Sequence, residues 1–181
     1  MIRTKRSKKK KVLEATPEGA KRAAISLLAH REQTEKELLS KLIERGFSRE
    51  DALEAVEFAK EKQYLSEQRY FFRFVEFYGK NKQFGRRRIL QEAKRKGFSK
   101  EVIELYAKDA LMQVDFDGGC FEALKKLKPA GKEKLTAALL RRGYSMQNVR
   151  YAFERYEQEI GSLEGSVEDL EEEFFDDADE T

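Results

Sequence analysis

The chain has 181 residues, of which 39% are charged, with one cysteine and a formal charge of +3. No apolar run approaches the roughly 20 residues that a membrane-spanning helix needs, and none follows the basic N-terminus as a signal peptide requires. The single Cys120 excludes a structural disulfide within the chain, so a soluble, cytoplasmic protein is expected.

The near-neutral total conceals three blocks. Seven Lys and Arg against Glu14 give residues 1–15 a charge of +6, ten Asp and Glu with no Lys or Arg give residues 160–181 a charge of −10, and the remainder carries +7. Single-sign blocks of this kind are expected to be disordered, which leaves a folded middle of roughly 140 residues.

In chain order, Thr16-Pro17 gives an N-cap followed by Pro at the first helical position, and a helix to about Ala29 carries Ala20, Ala24 and Leu27 on one face. Thr34-Glu35-Lys36-Glu37 is a capping box that opens a second helix, reaching Arg45 and expected to bury Leu38, Leu39, Leu42 and Ile43. Ser48 starts a third, with Ala52, Ala55, Val56 and Ala59 inward.

A second set of three helices begins at Ser66. Its first helix carries Tyr70, Phe71, Phe72, Phe74, Phe77 and Tyr78 nearly all round, so burial on every side is expected. Gly85 then opens a basic helix with an apolar stripe of Ile89, Leu90 and Ala93. Ser99 opens another with Ile103, Tyr106, Ala107 and Ala110 inward. In the third set Asp115 or Asp117 caps a helix bearing Phe121, Leu124 and Leu127. Pro129-Ala130-Gly131 makes the turn, Leu135, Ala138 and Leu139 line the next helix, and Val149, Ala152, Phe153 and Tyr156 follow Ser145.

The three sets are in register. Gly46-Phe47-Ser48, Gly97-Phe98-Ser99 and Gly143-Tyr144-Ser145 close equivalent helices, with spacings of 51 and 46 residues between the glycines. Periods in this range mark a repeat architecture, and no segment alternates with the two-residue period of a half-buried strand. The expected fold is all-α: an elongated array of three tandem three-helix repeats. Its limits are a basic arm 1–15, repeats at 16–63, 64–112 and 113–159, and an acidic tail 160–181.

Four segments together resemble the RecX family of bacterial recombination regulators: His30-Arg31-Glu32-Gln33-Thr34-Glu35-Lys36-Glu37-Leu38, Tyr64-Leu65-Ser66-Glu67-Gln68-Arg69-Tyr70, Phe84-Gly85-Arg86-Arg87-Arg88-Ile89-Leu90-Gln91-Glu92 and Arg142-Gly143-Tyr144-Ser145. The likeness covers roughly residues 20–158; the arm and tail look like additions to the usual body. It implies a protein that binds the RecA recombinase, lodges along the groove of its filament on DNA, and lowers its ATPase and strand-exchange activities; a monomer is expected, with single- or double-stranded DNA as a further ligand.

The residues suited to such a role are basic. Arg86, Arg87, Arg88, Lys94, Arg95 and Lys96 flank the stripe of the central helix. Lys132, Lys134, Arg141 and Arg142 lie on the equivalent helix of the third repeat, preceded by Lys125, Lys126 and Lys128. Presented along one side, they would follow a phosphate backbone or an acidic filament groove. The plainer reading is solvated helix faces with cations favoured in last turns; it is weakest for Arg86, Arg87 and Arg88, which sit at a helix start where the dipole disfavours them. In the aromatic helix, core packing is the default, with Phe72 and Phe77 off the main stripe as exposed stacking rings. His30 sits at a helix end without the companions a metal site needs, and Cys120 reads as an apolar filler. Gly131-Lys132 lacks the first Gly and the final Ser or Thr of a phosphate-binding loop, so neither catalysis nor a cofactor is expected.

Two other functions compete with the filament regulator: a sequence-tolerant DNA-binding helical repeat without a recombinase partner, and a helix-turn-helix transcription factor. The last needs base-reading side chains at the start of a recognition helix, and Ser99-Lys100-Glu101-Val102 and Ser145-Met146-Gln147-Asn148 offer few. The tail, acidic with embedded Phe174 and Phe175, is either a solubilising end or a phosphate mimic that folds back on the basic residues. On the second reading, deleting residues 161–181 tightens DNA affinity and steepens its salt dependence in a titration by fluorescence anisotropy; unchanged affinity leaves the first.

Overall fold

The computed structural model describes residues 16–128 and 131–159, so the basic arm, the Pro129-Ala130 turn and the acidic tail lie outside the described residues. Among the described residues there are nine helices and no strand: α1 (Pro17–His30), α2 (Glu35–Glu44), α3 (Arg49–Glu61), α4 (Glu67–Lys80), α5 (Arg86–Lys96), α6 (Lys100–Met112), α7 (Phe116–Lys125), α8 (Lys132–Arg141) and α9 (146–159).

The caps follow the sequence. Thr16 accepts the Gly19 N–H at 3.1 Å, and Thr34 accepts the Glu37 N–H at 3.2 Å while the Glu37 carboxylate takes the Thr34 N–H at 3.3 Å. Ser66 accepts the Arg69 N–H at 3.2 Å. Asp115 rather than Asp117 caps α7, at 2.9 Å from the Gly118 nitrogen, whereas Asp117 accepts a hydrogen bond from the Asn148 side chain.

The three connectors are built alike. Gly46, Gly97 and Gly143 have φ of 95°, 96° and 91°, the left-handed region in which a side chain is strained. In the first and third, the glycine N–H reaches back to Ile43 or Leu140, and the next N–H to Leu42 or Leu139, which satisfies carbonyls that a helix end leaves bare. The aromatic ring that follows, Phe47, Phe98 or Tyr144, is buried in each case. The serine after it accepts an N–H from the residue three further on, at 3.0, 3.2 and 3.2 Å.

The described residues pack as two compact units, 16–70 with 96–102 and 71–95 with 103–159, and the division runs through α4, α5 and α6. In the first unit, alanines dominate the facing sides of α1 (Ala20, Ala23, Ala24) and α3 (Ala52, Ala55, Ala59), and small side chains allow two helices to approach closely. Leu38 and Leu42 of α2 with Phe47 complete the core. Glu67 is buried there, its carboxylate accepting the Glu35 N–H at 2.7 Å and the Ser99 N–H at 3.4 Å. In the second unit Phe71, Phe74, Val75, Ile89, Phe116, Phe121, Leu139 and Phe153 are buried.

Two side chains, and the all-round burial of one helix, depart from expectation. Ile43 is 41% exposed, because it stands five residues beyond Leu38 and therefore about 140° round the helix from that seam. Tyr156 is 39% exposed at the edge of an open apolar groove of about 190 Å³ that it shares with Leu124, Leu127, Leu135 and Phe153. The aromatic helix α4 is not covered on every side: Phe71 and Phe74 are buried, but Phe77 is 47% exposed.

One close approach within the second unit is made possible by glycine alone. A β-carbon on Gly85 would overlap the backbone of Gly143 and Tyr144, and one on Gly143 would overlap the backbone of Arg88. Around Gly46, by contrast, nothing lies within 4 Å. Gly85→Ala is therefore expected to cost at least about 2 kcal/mol, as an overpacked site does. Gly46→Ala should cost only about 1 kcal/mol, from its backbone conformation; equal losses in urea denaturation would contradict the contact at Gly85.

Candidate interface for an anionic partner

Three arginines at the start of α5 sit where that helix's own dipole is unfavourable, and the end of α8 removes the difficulty. The Gly85 N–H donates to the Arg142 carbonyl at 2.9 Å and the Arg87 N–H to the Gly143 carbonyl at 3.3 Å. The Arg87 guanidinium donates to the Leu140 carbonyl at 2.9 Å. The donors left over at one helix start thus meet the acceptors left over at another helix end, and the cations lie against a C-terminus that favours them.

This junction gathers residues from two distant stretches of sequence. Arg88, Arg141 and Arg142 line an open groove of about 380 Å³ whose remaining walls are Phe84 and Ala138. Arg88 also lies over the Phe84 ring, 5.6 Å from its centre, and pairs with Glu92 at 2.8 Å. Arg141 is exposed and Arg142 half-buried, and neither makes an ion pair among the described residues. Three guanidiniums against one carboxylate leave the groove cationic. The planar fork of each suits a carboxylate or phosphate taken up through two hydrogen bonds.

The other basic residues fall into different settings. Arg86 lies over the Phe116 ring at 4.9 Å, and Arg95 pairs with Glu92. Lys132 pairs with Glu157 at 3.1 Å and lies over Phe153. Lys94 and Lys134 are exposed, with no ion pair among the described residues. Lys96 belongs to the first unit, where it meets Glu37 at 2.8 Å. Lys125 pairs with Glu122, and Lys126 donates to Gln83. Arg87 and Arg88, whose position at a helix start hinted at an external partner, thus have internal ones.

Glu92, 5% exposed, is the residue that the basic pattern hides. Its carboxylate holds Arg88 four residues before it and Arg95 three after, spacings that place all three on one helix face. Of the aromatic candidates, Phe77 is the exposed ring, with the Lys82 ammonium above it, while Phe72 packs half-buried against Tyr106. His30 is the last residue of α1. Burial, helped by Asp117, pushes the Cys120 thiol up to about 12, which keeps it inert at neutral pH.

The nine helices of the described residues, with left-handed glycines at equivalent connectors and a groove lined by three arginines at a helix-to-helix junction, define an all-α repeat protein. The model of the first three-helix domain of RecX matches residues 20–58. The regulatory protein RecX of Caldanaerobacter subterraneus subsp. tengcongensis is 34% identical over 140 residues, covering 74% of this chain and 68% of that one. Those of Trichlorobacter lovleyi and Vibrio campbellii are 32% and 33% identical over 146 residues each, covering 74% and 77% of this chain and 92% and 93% of theirs. The crystal structure of RecX from Lactobacillus salivarius superposes with a TM-score of 0.68 at 17% identity, over 78% of this chain and 97% of that one. The chain belongs to the RecX family of regulatory proteins. No helix among the described residues is long and apolar enough to cross a membrane.

Glu92→Gln removes the charge that holds two arginines while keeping the side chain's shape. Stability should fall by about 1–3 kcal/mol in equilibrium denaturation, the cost of leaving buried hydrogen-bonding groups poorly matched. A change within about 0.5 kcal/mol would show that the pairs contribute nothing.

Proposed function

We propose that this protein is a cytoplasmic, non-enzymatic regulator that binds RecA recombinase filaments on DNA and lowers their ATP hydrolysis and strand exchange. Family membership supports the class of partner. The observation that carries the reading to particular residues is the groove that gathers Arg88, Arg141 and Arg142. In this mechanism Arg141 and Arg142, the two without internal ion pairs, take up carboxylates of the filament or phosphates of its DNA, and Arg88, oriented by Glu92, lines the same groove. Helices held in the groove of the filament then hinder subunit addition or nucleotide turnover.

The test is the recombinase's DNA-dependent ATP hydrolysis as the protein is added, with an Arg141→Ala/Arg142→Ala variant in parallel. These two are preferred to Arg87 and Arg88, whose removal would also disturb the α8–α5 junction. The unsubstituted protein is expected to inhibit well below one molecule per recombinase. Loss of two charge-assisted contacts should raise the half-inhibiting concentration at least about tenfold. Absence of any effect at equimolar protein, with direct binding to DNA alone, would favour a sequence-tolerant DNA-binding repeat instead.

A further inference from the structure

The first unit holds a second cluster of cations that the groove does not involve. Glu37 stands at its centre with both oxygens engaged: one takes the Thr34 N–H of the capping box, the other takes Lys96 at 2.8 Å and Arg31 at 3.6 Å. Lys41, one turn along α2 from Glu37, is left without a carboxylate. Its ammonium donates instead to the neutral Gln33 side-chain oxygen at 2.6 Å. Gln33 is 1% exposed and is fixed at its other end by donation to the Leu27 carbonyl at 2.9 Å, so a fully buried amide holds this lysine in place.

That placement is electrostatically costly. Burial and then the positive charge of Arg31, with Lys96 and Arg45 adding to it, hold the Lys41 ammonium below the ordinary lysine value, and Glu37 offsets this only in part. Arg31 and Lys96 share the Glu37 carboxylate and Lys41 has none, an excess of two positive charges among these four groups, while Glu32 is turned to Arg69 at 3.2 Å and Glu35 to Lys60 at 3.1 Å. A charge held by a positioned amide where its neighbours disfavour it is the arrangement of a binding site awaiting a counter-charge.

We infer that Arg31, Lys41 and Lys96 form a second binding site, separate from the Arg88–Arg141–Arg142 groove, for a doubly charged phosphate group. Its excess charge matches a phosphate monoester dianion, whose oxygens accept from a guanidinium and two ammonium groups at once.

Inorganic phosphate is the probe, added at constant ionic strength and mildly alkaline pH, with chloride and acetate as controls. Phosphate at about ten times its dissociation constant should raise Tm by roughly 3 °C beyond the controls. Amide NMR shifts should concentrate around residues 31, 41 and 96. Lys41→Gln and Arg31→Gln should each abolish the Tm increment and the local shifts, while Arg141→Gln/Arg142→Gln should retain both. An increment that survives Lys41→Gln and Arg31→Gln, or that disappears only with the groove variant, would overturn the assignment, as would equal effects of phosphate and acetate. A terminal phosphate on an oligonucleotide should compete with free phosphate if nucleic acid is the natural source. Failure to compete would point to a small phosphorylated molecule.

Discussion

A helix that stops must dispose of four bare carbonyls, and one that starts must dispose of four bare N–H groups. In the second unit the end of α8 and the start of α5 resolve part of each other's difficulty by direct contact between their backbones. The contact demands glycine on both sides, because the chains approach more closely than a β-carbon permits. The position of Arg88 beside Arg141 and Arg142, the internal partner of Arg87 and the existence of the cationic groove all follow from it. In the first unit a gentler version brings Gly97 against Thr34 and Lys36, where ordinary side chains rather than backbone set the distance.

Buried and half-buried carboxylates organise the polar structure around these ends. Glu67 accepts N–H groups from the starts of α2 and the α5–α6 connector, Glu37 closes a capping box while holding Lys96, and Glu92 fixes two arginines. Each such carboxylate compensates its burial with charge-assisted hydrogen bonds, the condition for keeping a charge out of water. These acids therefore decide which basic side chains are structural and which remain available. A count of lysines and arginines along the chain does not separate the two groups.

The helices, their caps and their threefold register were legible in the sequence because each is written locally: a left-handed glycine, a serine after it, apolar residues at helical spacing. The aromatic between that glycine and serine was visible only as a repeated position, Phe47, Phe98 and Tyr144; its burial comes from the structure. Periodicity identified the stripes but not their width, so Ile43 and Tyr156 were assigned to cores that do not reach them; in α4, Phe77 off the main stripe is exposed as read, whereas Phe72 is half-buried. The candidate site was legible as two basic stretches. Their meeting was not, because a glycine in sequence signals freedom of the backbone and says nothing about a segment of the same chain 58 residues away, as between Gly85 and Gly143. Glu92 was missed for a similar reason: its role depends on burial, which spacing alone does not supply.

The α8–α5 contact also rearranges the backbone's own electrostatics. Where the two ends meet, the roughly half-unit partial charges of opposite sign neutralise each other, whatever the angle between the helices. What survives on α8 is its positive end at Gly131, which has no side-chain cap and is followed by Lys132 and Lys134. Part of the positive potential of this region is thus carried by peptide groups rather than by side chains. An approaching polyanion would meet it even on a surface stripped of its lysines, offset only by a carboxylate in the first turn such as Glu133.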